Sequence, residues 1–426
     1  MVKKLGKLNI GKKLRNAKIS VRVYLDNAAT TPTDERVIKA MAPYFGKIYA
    51  NPSALHAEGV AARAALSAAR EKVARILQVR KEEIIFTSGG TESDNLAIQG
   101  VIRAARADGN KRPHIVTTAF EHSAVLETCK ALEKEGVATT YIKPEKNGIV
   151  RPSDIKKAIT KNTVLVSVMY AQSEIGTIQP IKEIARSIKE FKSARATTYN
   201  SFEPEGSQSQ NGLQPTTYPL FHTDAAQAVN YLDICPNHLG VDLMTLAGSK
   251  IYGPKGSGIL FVKHGTPILP VFYGGDQEGG LRPGTEPVYL AVGLAEALSI
   301  AAGMREKESK KLIGLRDYFI TKLLSLSPRI SLNGDVKWRV PNNVNICING
   351  IDNEFFVIEL DAKGIACATR SACKTNDEEG SHVILSLGKS KKEAKESIRF
   401  SLGRFTTKKE IDYTIGVIKN LLTTNN

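Results

Sequence analysis

Cysteine is scarce in this 426-residue chain: Cys129, Cys235, Cys347, Cys367 and Cys373 are odd in number and lack the paired spacing of a metal site. This argues against a disulfide framework and a cysteine-based metal centre, and it predicts free thiols in a reducing, cytoplasmic compartment. No run approaches the roughly 20 uncharged apolar residues of a membrane span, and no apolar stretch near the start reads as a secretory signal. Internal repeats are also missing. Acidic residues are absent from positions 1–22, which hold Lys3, Lys4, Lys7, Lys12, Lys13, Arg15, Lys18 and Arg22. Half of the formal net charge of +16 therefore sits in this leader and the rest is spread thinly. A transit segment, a nucleic-acid arm and a solvated tail are all compatible with a basic leader. Lysine dominance and a lone hydroxyl, Ser20, weigh against transit, so a solvated tail with no nucleic-acid or membrane partner is the expectation.

What is present fits a soluble globular chain, with 42% hydrophobic and 24% charged residues. The length favours two domains. Apolar β-branched runs predict strands at 84–87, 114–118, 138–142, 164–169, 220–223, 243–246 and 258–262, alternating with helical patterns near 92–107, 122–135 and 180–191. That alternation predicts an α/β domain around a mainly parallel seven-stranded sheet, with ligands at the strand carboxyl ends. Residues 193–217 are polar and turn-rich and read as a disordered insertion. A helical stretch over 287–326 leads to strand patterns at 342–349, 365–369 and 397–402. The expected division is a leader (1–22), a large domain (23–286, its first residues to 36 joining the small one) and a small α+β domain (287–426). Thr407 and Glu410 form a capping-box pattern at the start of the last helix.

Three places carry chemistry. Ser88-Gly89-Gly90-Thr91 joins a strand to a helix, and backbone N–H groups at the positive end of a helix dipole bind phosphate. Taken alone, the turn reads first as an ordinary glycine turn with a threonine cap. Asp224 closes one strand and Lys250 follows the next. A lysine at a buried strand end is costly unless deprotonated or covalently engaged. An acid one strand earlier can hold the protonated nitrogen of a pyridine cofactor. A surface lysine in a turn and an N-capping aspartate remain the plainer reading of the two residues.

The motifs in series resemble one family. Tyr24-Leu25-Asp26-Asn27-Ala28-Ala29-Thr30-Thr31-Pro32, Asn51–His56, Thr87–Asn95, Glu121-His122, Ser173–Gly176, the Lys250 segment, Gly274–Thr285 and Ile398–Phe405 follow the order of the cysteine desulfurases, on the class V aminotransferase fold. The resemblance covers about residues 23–420 apart from the insertion. It implies a fold-type I enzyme using pyridoxal 5'-phosphate, with Lys250 as its Schiff-base lysine and proton carrier. Asp224 would pair with the ring nitrogen, His122 would stack on the ring, and Gln227 would reach its phenolic oxygen. Gly90, Thr91 and Ser249 would serve the phosphate, and Ser173 stands where the family contacts the cofactor. Thr285 would reach the phosphate of a neighbouring subunit, implying a homodimer. Arg399, with Asn51, would clamp the carboxylate of L-cysteine.

Desulfuration also needs a thiol that attacks the substrate sulfur. Within the Ser371-Ala372-Cys373 match, the resemblance assigns this to Cys373, with Arg370 and Lys374 favouring its thiolate. The other four cysteines stand in apolar or helical contexts and read as core residues. Alanine leaves, and the persulfide sulfur passes to an acceptor protein of iron–sulfur assembly or tRNA thiolation. The sequence departs from the family at Ala247 and Ser249, where serine and histidine are usual, and at Ser173 (asparagine), Gly279 (arginine) and Arg370 (glycine). Alternative readings are a selenocysteine lyase, another class V aminotransferase-type enzyme, and an inactive homologue serving as an interaction protein.

Overall fold

The structure, a computed structural model, describes residues 22–200, 218–370 and 380–424, with side chains omitted for 195–200 and 424. Most of the leader, residues 201–217 and the stretch holding Cys373 lie outside the described residues. The chain enters on β1 (Val23–Tyr24) and then contributes β2 (Ile84–Thr87), β3 (His114–Thr118), β4 (Ala138–Ile142), β5 (Thr163–Ser167), β6 (Leu220–Asp224), β7 (Leu243–Ala247) and β8 (Gly258–Val262). These last seven form one sheet in the order β2-β8-β7-β6-β5-β3-β4. Only β8 is antiparallel to its neighbours; β7, β6, β5, β3 and β4 pair in parallel. Every strand except the edge strand β4 is buried along its whole length, which is why these segments read as continuous apolar runs.

Helices cover both faces. Leu96, Val101 and Ile102 of helix Gly90–Ala107 and Val125 and Cys129 of helix Ser123–Lys134 pack with Ile85, Ile115, Leu165, Leu220 and Leu243. The opposite face, with Phe86, Val116, Val166, Phe221 and Met244, packs against Leu66 and Val73 of helix Ala57–Leu77, Ile184 of helix Ile181–Asn200, and Leu294 and Leu298 of helix Val288–Leu326. Helix Ile181–Asn200 continues eight residues into the segment expected to be irregular; its Ser-Ala-Arg-Ala stretch holds no helix breaker, and the helix already in place extends through it at little cost.

The smaller unit holds an antiparallel sheet of β9 (Ile330–Leu332), β10 (Asn343–Ile348) and β12 (Ser397–Ser401), and a parallel pair of β1 with β11 (Ile365–Ala366). Its core includes Val23, Leu25, Phe319, Ile346, Phe356 and Phe400. The 39-residue helix Val288–Leu326 serves both units: Leu294 and Leu298 pack in the large core, Leu312, Phe319 and Leu323 in the small one. One window of this helix is apolar enough by composition for a membrane span; the shared cores account for that character. The last helix begins as expected, Thr407 Oγ1 and Glu410 exchanging hydrogen bonds with each other's backbone N–H.

Candidate active site

The residues that bear chemistry follow the carboxyl ends of β2, β3, β5, β6 and β7, as a sheet of this topology places them. Together they line a cavity of about 290 Å³. Ser88, Gly89 and Gly90 form its floor beside the start of helix Gly90–Ala107, whose first N–H groups have no intrahelical acceptor. Gly89 adopts φ +151°, and a Cβ there would meet nothing within 4 Å. The turn rests directly on β8, where a Cβ on Gly258 would come within 2.6 Å of Gly89 Cα. Glu92 holds the turn from below: its Oε2 accepts from Ser88 N–H (2.6 Å) and its Oε1 from Arg282 Nε (3.0 Å).

Lys250 sits in the tight turn Gly248–Lys250 directly after β7. A Cβ on Gly248 would overlap Ser257 Oγ, so glycine permits this sharp exit from the strand. The amino-terminal motif straps the turn in place. Thr31 donates through N–H and Oγ1 to Ser249 O (2.9 and 3.0 Å), and Lys250 Nζ donates to Ala29 O (2.5 Å). Asn230 Nδ2 donates to Lys250 O (2.8 Å).

Asp224 ends β6, buried, with Oδ1 accepting from Ala226 N–H (2.9 Å). Burial raises its pKa, and the nearby His122 and Lys250 pull it back down. His122 caps helix Ser123–Lys134: its Nδ1 accepts from Ala124 N–H (3.1 Å). Gln227 Nε2 donates to Ala28 O (2.9 Å), tying the same amino-terminal strap to the far wall.

Arg399 reaches the cavity from β12 and is 1% exposed. Its Nη2 is 2.7 Å from Asp26 Oδ1, its Nη1 donates to Ser173 O (3.1 Å), and its buried Nε has no hydrogen-bond partner among the described residues. The guanidinium is thus anchored on one edge and retains donor capacity on another.

Nine of the residues expected from sequence line this single cavity: Gly90, Thr91, His122, Ser173, Asp224, Gln227, Ser249, Lys250 and Arg399. Asn51 and Thr285 do not. Both are exposed, and Asn51 Oδ1 accepts from Ser53 N–H (2.9 Å) in a local turn. Cys373 lies outside the described residues. The sequence reading missed Asp26, Asp94 and Met169; Asp26 was visible only as a member of the Tyr24–Pro32 motif, and nothing in its spacing announced an arginine partner.

Two departures have local explanations. Gly279 sits at φ +66°, a conformation that favours glycine over arginine. The preceding Glu278 is the tie that matters there, accepting from Arg70 Nη1 and Nη2 (2.7 and 2.6 Å) and from Phe86 N–H (2.8 Å). Arg370 is not among the positive-φ residues, so replacing glycine brings no left-handed strain, and its Nη2 pairs with Glu354 Oε1 (3.2 Å).

The profile of Aminotransferase class-V matches residues 23–197 and 216–414. A protein of Dictyoglomus turgidum named cysteine desulfurase IscS is 40% identical over 400 residues, 94% of each chain. The chain belongs to the class V aminotransferases, on their cysteine desulfurase branch. The family extends across kingdoms: a Methanosarcina thermophila cysteine desulfurase IscS is 40% identical, covering 94% of this chain and 92% of that one. Among solved structures, a NifS-like protein superposes with a TM-score of 0.83 at 32% identity, covering 95% of this chain and all of that one. A structure of SspA in complex with cysteine does so at 0.73 and 31%, covering 91% and all. Membership implies pyridoxal phosphate, and the cavity's donor set fits that group. Uncapped N–H groups and an open glycine turn suit a phosphate, Asp224 suits a protonated ring nitrogen, and Lys250 lines the same cavity.

Proposed function

We propose that the protein is a pyridoxal-phosphate-dependent cysteine desulfurase, converting L-cysteine to L-alanine and passing the sulfur on as a persulfide of Cys373. The observation that carries this reading is the convergence of Lys250, Asp224, His122, the Ser88–Thr91 turn and Arg399 on one cavity. Bound there, pyridoxal phosphate supplies an electron sink for the substrate's α-carbon.

The chain's own residues do the rest. Arg399 orients the substrate carboxylate, its Nη2 edge fixed by Asp26 so that the remaining donors are preorganised. Lys250 Nζ holds the cofactor and moves protons at the substrate carbon. Asp224 keeps a proton on the ring nitrogen. Cys373 attacks the substrate sulfur as a thiolate, forming the new S–S bond as the C–S bond breaks. None of the four described cysteines lines the cavity. Burial pushes the Cys129 thiol up to about 12 and raises those of Cys347 and Cys367, and Cys235 is buried away from the cavity, which supports Cys373 as nucleophile. A homodimer, with Thr285 completing the partner's phosphate site, accounts for the exposed position of Thr285. The persulfide then serves an iron–sulfur scaffold or a tRNA-thiolation relay in the cytoplasm.

The test is to incubate the protein with pyridoxal phosphate and L-cysteine under reductant, measuring alanine and sulfide. Equal release of both is expected; no alanine would refute the activity. Cys373→Ala should abolish sulfide release, and full release from that variant would move the nucleophile elsewhere. Lys250→Ala should lose the visible Schiff-base absorbance, and an unchanged spectrum would place the cofactor on another residue.

A further inference from the structure

Near Asp224 stand two buried acids, Asp94 and Glu121, that the reaction above does not use. Asp94, on the first turns of helix Gly90–Ala107, is 1% exposed and lines the cavity, and its Oδ1 has no hydrogen-bond partner among the described residues. His222 Nε2 lies 3.6 Å from it. His222 lies two residues before Asp224 on β6, so both side chains face helix Gly90–Ala107. Its ring is fixed by Ser167 Oγ at Nδ1 (2.8 Å) and Thr245 Oγ1 at Nε2 (3.1 Å). Burial pushes its pKa down to about 3, so it is neutral and supplies no positive charge to Asp94.

Three buried carboxyl groups therefore share this region, and they differ in what supports a negative charge. Asp224 has Ala226 N–H together with the attraction of His122 and Lys250. Glu121 accepts from Thr118 Oγ1 (2.6 Å) and from Met169 N–H (3.0 and 3.1 Å), and burial still raises its pKa to about 8. Asp94 has only the Thr245 hydroxyl, its Oδ1 having no donor among the described residues, and it feels repulsion from both Asp224 and Glu121. Like charges in a low-dielectric site do not ionise together, and the proton goes to the carboxylate with the poorest support. Burial and the Asp224 charge act in that direction, raising the Asp94 pKa well above the carboxylate range.

We propose that Asp94 remains a neutral carboxylic acid in the working enzyme and so leaves Asp224 as the single negative charge presented to the cofactor's ring nitrogen. Asp94 is then a positioning residue: it does not touch the reacting atoms but fixes where the charge of the pair resides. An ionised Asp94 would place a second negative charge beside the ring and hold its protons against release. The inference rests on the cofactor reading above.

The test uses the full chain loaded with pyridoxal phosphate at neutral pH. An infrared difference spectrum of wild type minus Asp94→Asn should contain the C=O stretch of a protonated carboxyl group, displaced in heavy water. The pH titration of the Schiff-base absorbance should move by less than about 0.3 units in the same variant, since no charge is removed. Removing a real charge from so buried a position would lower that midpoint by about one unit or more. Absence of the band, or a shift of that size, overturns the proposal. Wild-type enzyme with no visible absorbance would instead overturn the cofactor assignment. Should the asparagine variant not fold, Asp94→Ala repeats the infrared comparison.

Discussion

Replacing Arg399 with lysine gives the sharpest check on how the substrate is held. The guanidinium is 1% exposed and divides its donors: Nη2 goes to Asp26 Oδ1 (2.7 Å), Nη1 to Ser173 O (3.1 Å), and Nε has no partner among the described residues. A lysine in its place keeps one positive charge for Asp26, so the pair is not broken and the fold should persist. It cannot hold Asp26 and a substrate carboxylate in a planar two-donor geometry at once. The loss is one charge-assisted hydrogen bond to the substrate, about 1.5–3 kcal/mol. That corresponds to a rise in KM for L-cysteine of about 10- to 150-fold, with kcat changed much less because the interaction exists before and during the chemical step. The assay is alanine formation against cysteine concentration, with thermal unfolding measured in parallel. Arg399→Ala is the contrasting case: it leaves Asp26 without its cation and should cost about 3 kcal/mol of stability as well. An unchanged KM in Arg399→Lys, or a large fall in kcat at constant KM, would refute the carboxylate-clamp assignment.

Three further outcomes follow from the same geometry. Ala247→Ser restores a hydroxyl beside the phosphate turn, where the Ala247 side chain lies 3.6 Å from a Cβ built on Gly90; it should tighten cofactor retention by about 0.5–1.5 kcal/mol, read as a slower loss of visible absorbance on dialysis. Asp34 accepts from Arg36 and Arg404 and caps a helix. The Arg36 hydrogen bond is the largest cause that holds its carboxyl down at about 2. Because its folded pKa is depressed, its contribution is complete above about pH 4 and is lost as pH falls toward 2; Asp34→Ala should remove about 1–2 kcal/mol of stability at neutral pH, allowing for screening at the exposed Arg36, and flatten the acid-unfolding profile over that window. Glu278→Gln weakens the two-pronged Arg70 bond and should cost about 1–3 kcal/mol by denaturant unfolding, without altering the KM for cysteine.

The sheet was legible because its strands are buried on both faces: an uninterrupted run such as Leu243-Met244-Thr245-Leu246 has few other uses. Chain direction was less accessible. Nothing in Gly258–Val262 signals that β8 alone runs against its neighbours, since a buried strand has the same pattern in either direction. Short pairings such as β1 with β11 escape a sequence reading because two residues carry no periodicity. Residues after strand ends, including Lys250, Asp224 and His122, were found through motif order, and the cavity brings them together. Asp26 and Arg399 are 373 positions apart, and only the small domain's fold against the amino-terminal strap joins them.

The departures from the family pattern separate by the same logic. Gly279 occupies a backbone conformation that glycine favours, and Arg370 finds an acidic partner in Glu354 without adopting positive φ. Each is therefore absorbed where it stands, away from the cavity lining. Ala247, Ser249 and Ser173 are different, since all three line the cavity. Ser173 contributes through its carbonyl, which accepts from Arg399 whatever side chain it carries, so a serine in place of asparagine leaves the arginine anchored. Ala247 precedes the turn that presents Lys250 and Ser249 lies within it, and the Thr31 bonds that hold the turn go to the Ser249 carbonyl, which any side chain there would offer. Cofactor affinity and carboxylate binding should consequently respond to separate substitutions: Ala247→Ser should act on retention of the absorbance alone, Arg399→Lys on KM alone. A double variant in which the two effects fail to add would show that the strap through Asp26, Ala29 and Thr31 couples the two halves of the site.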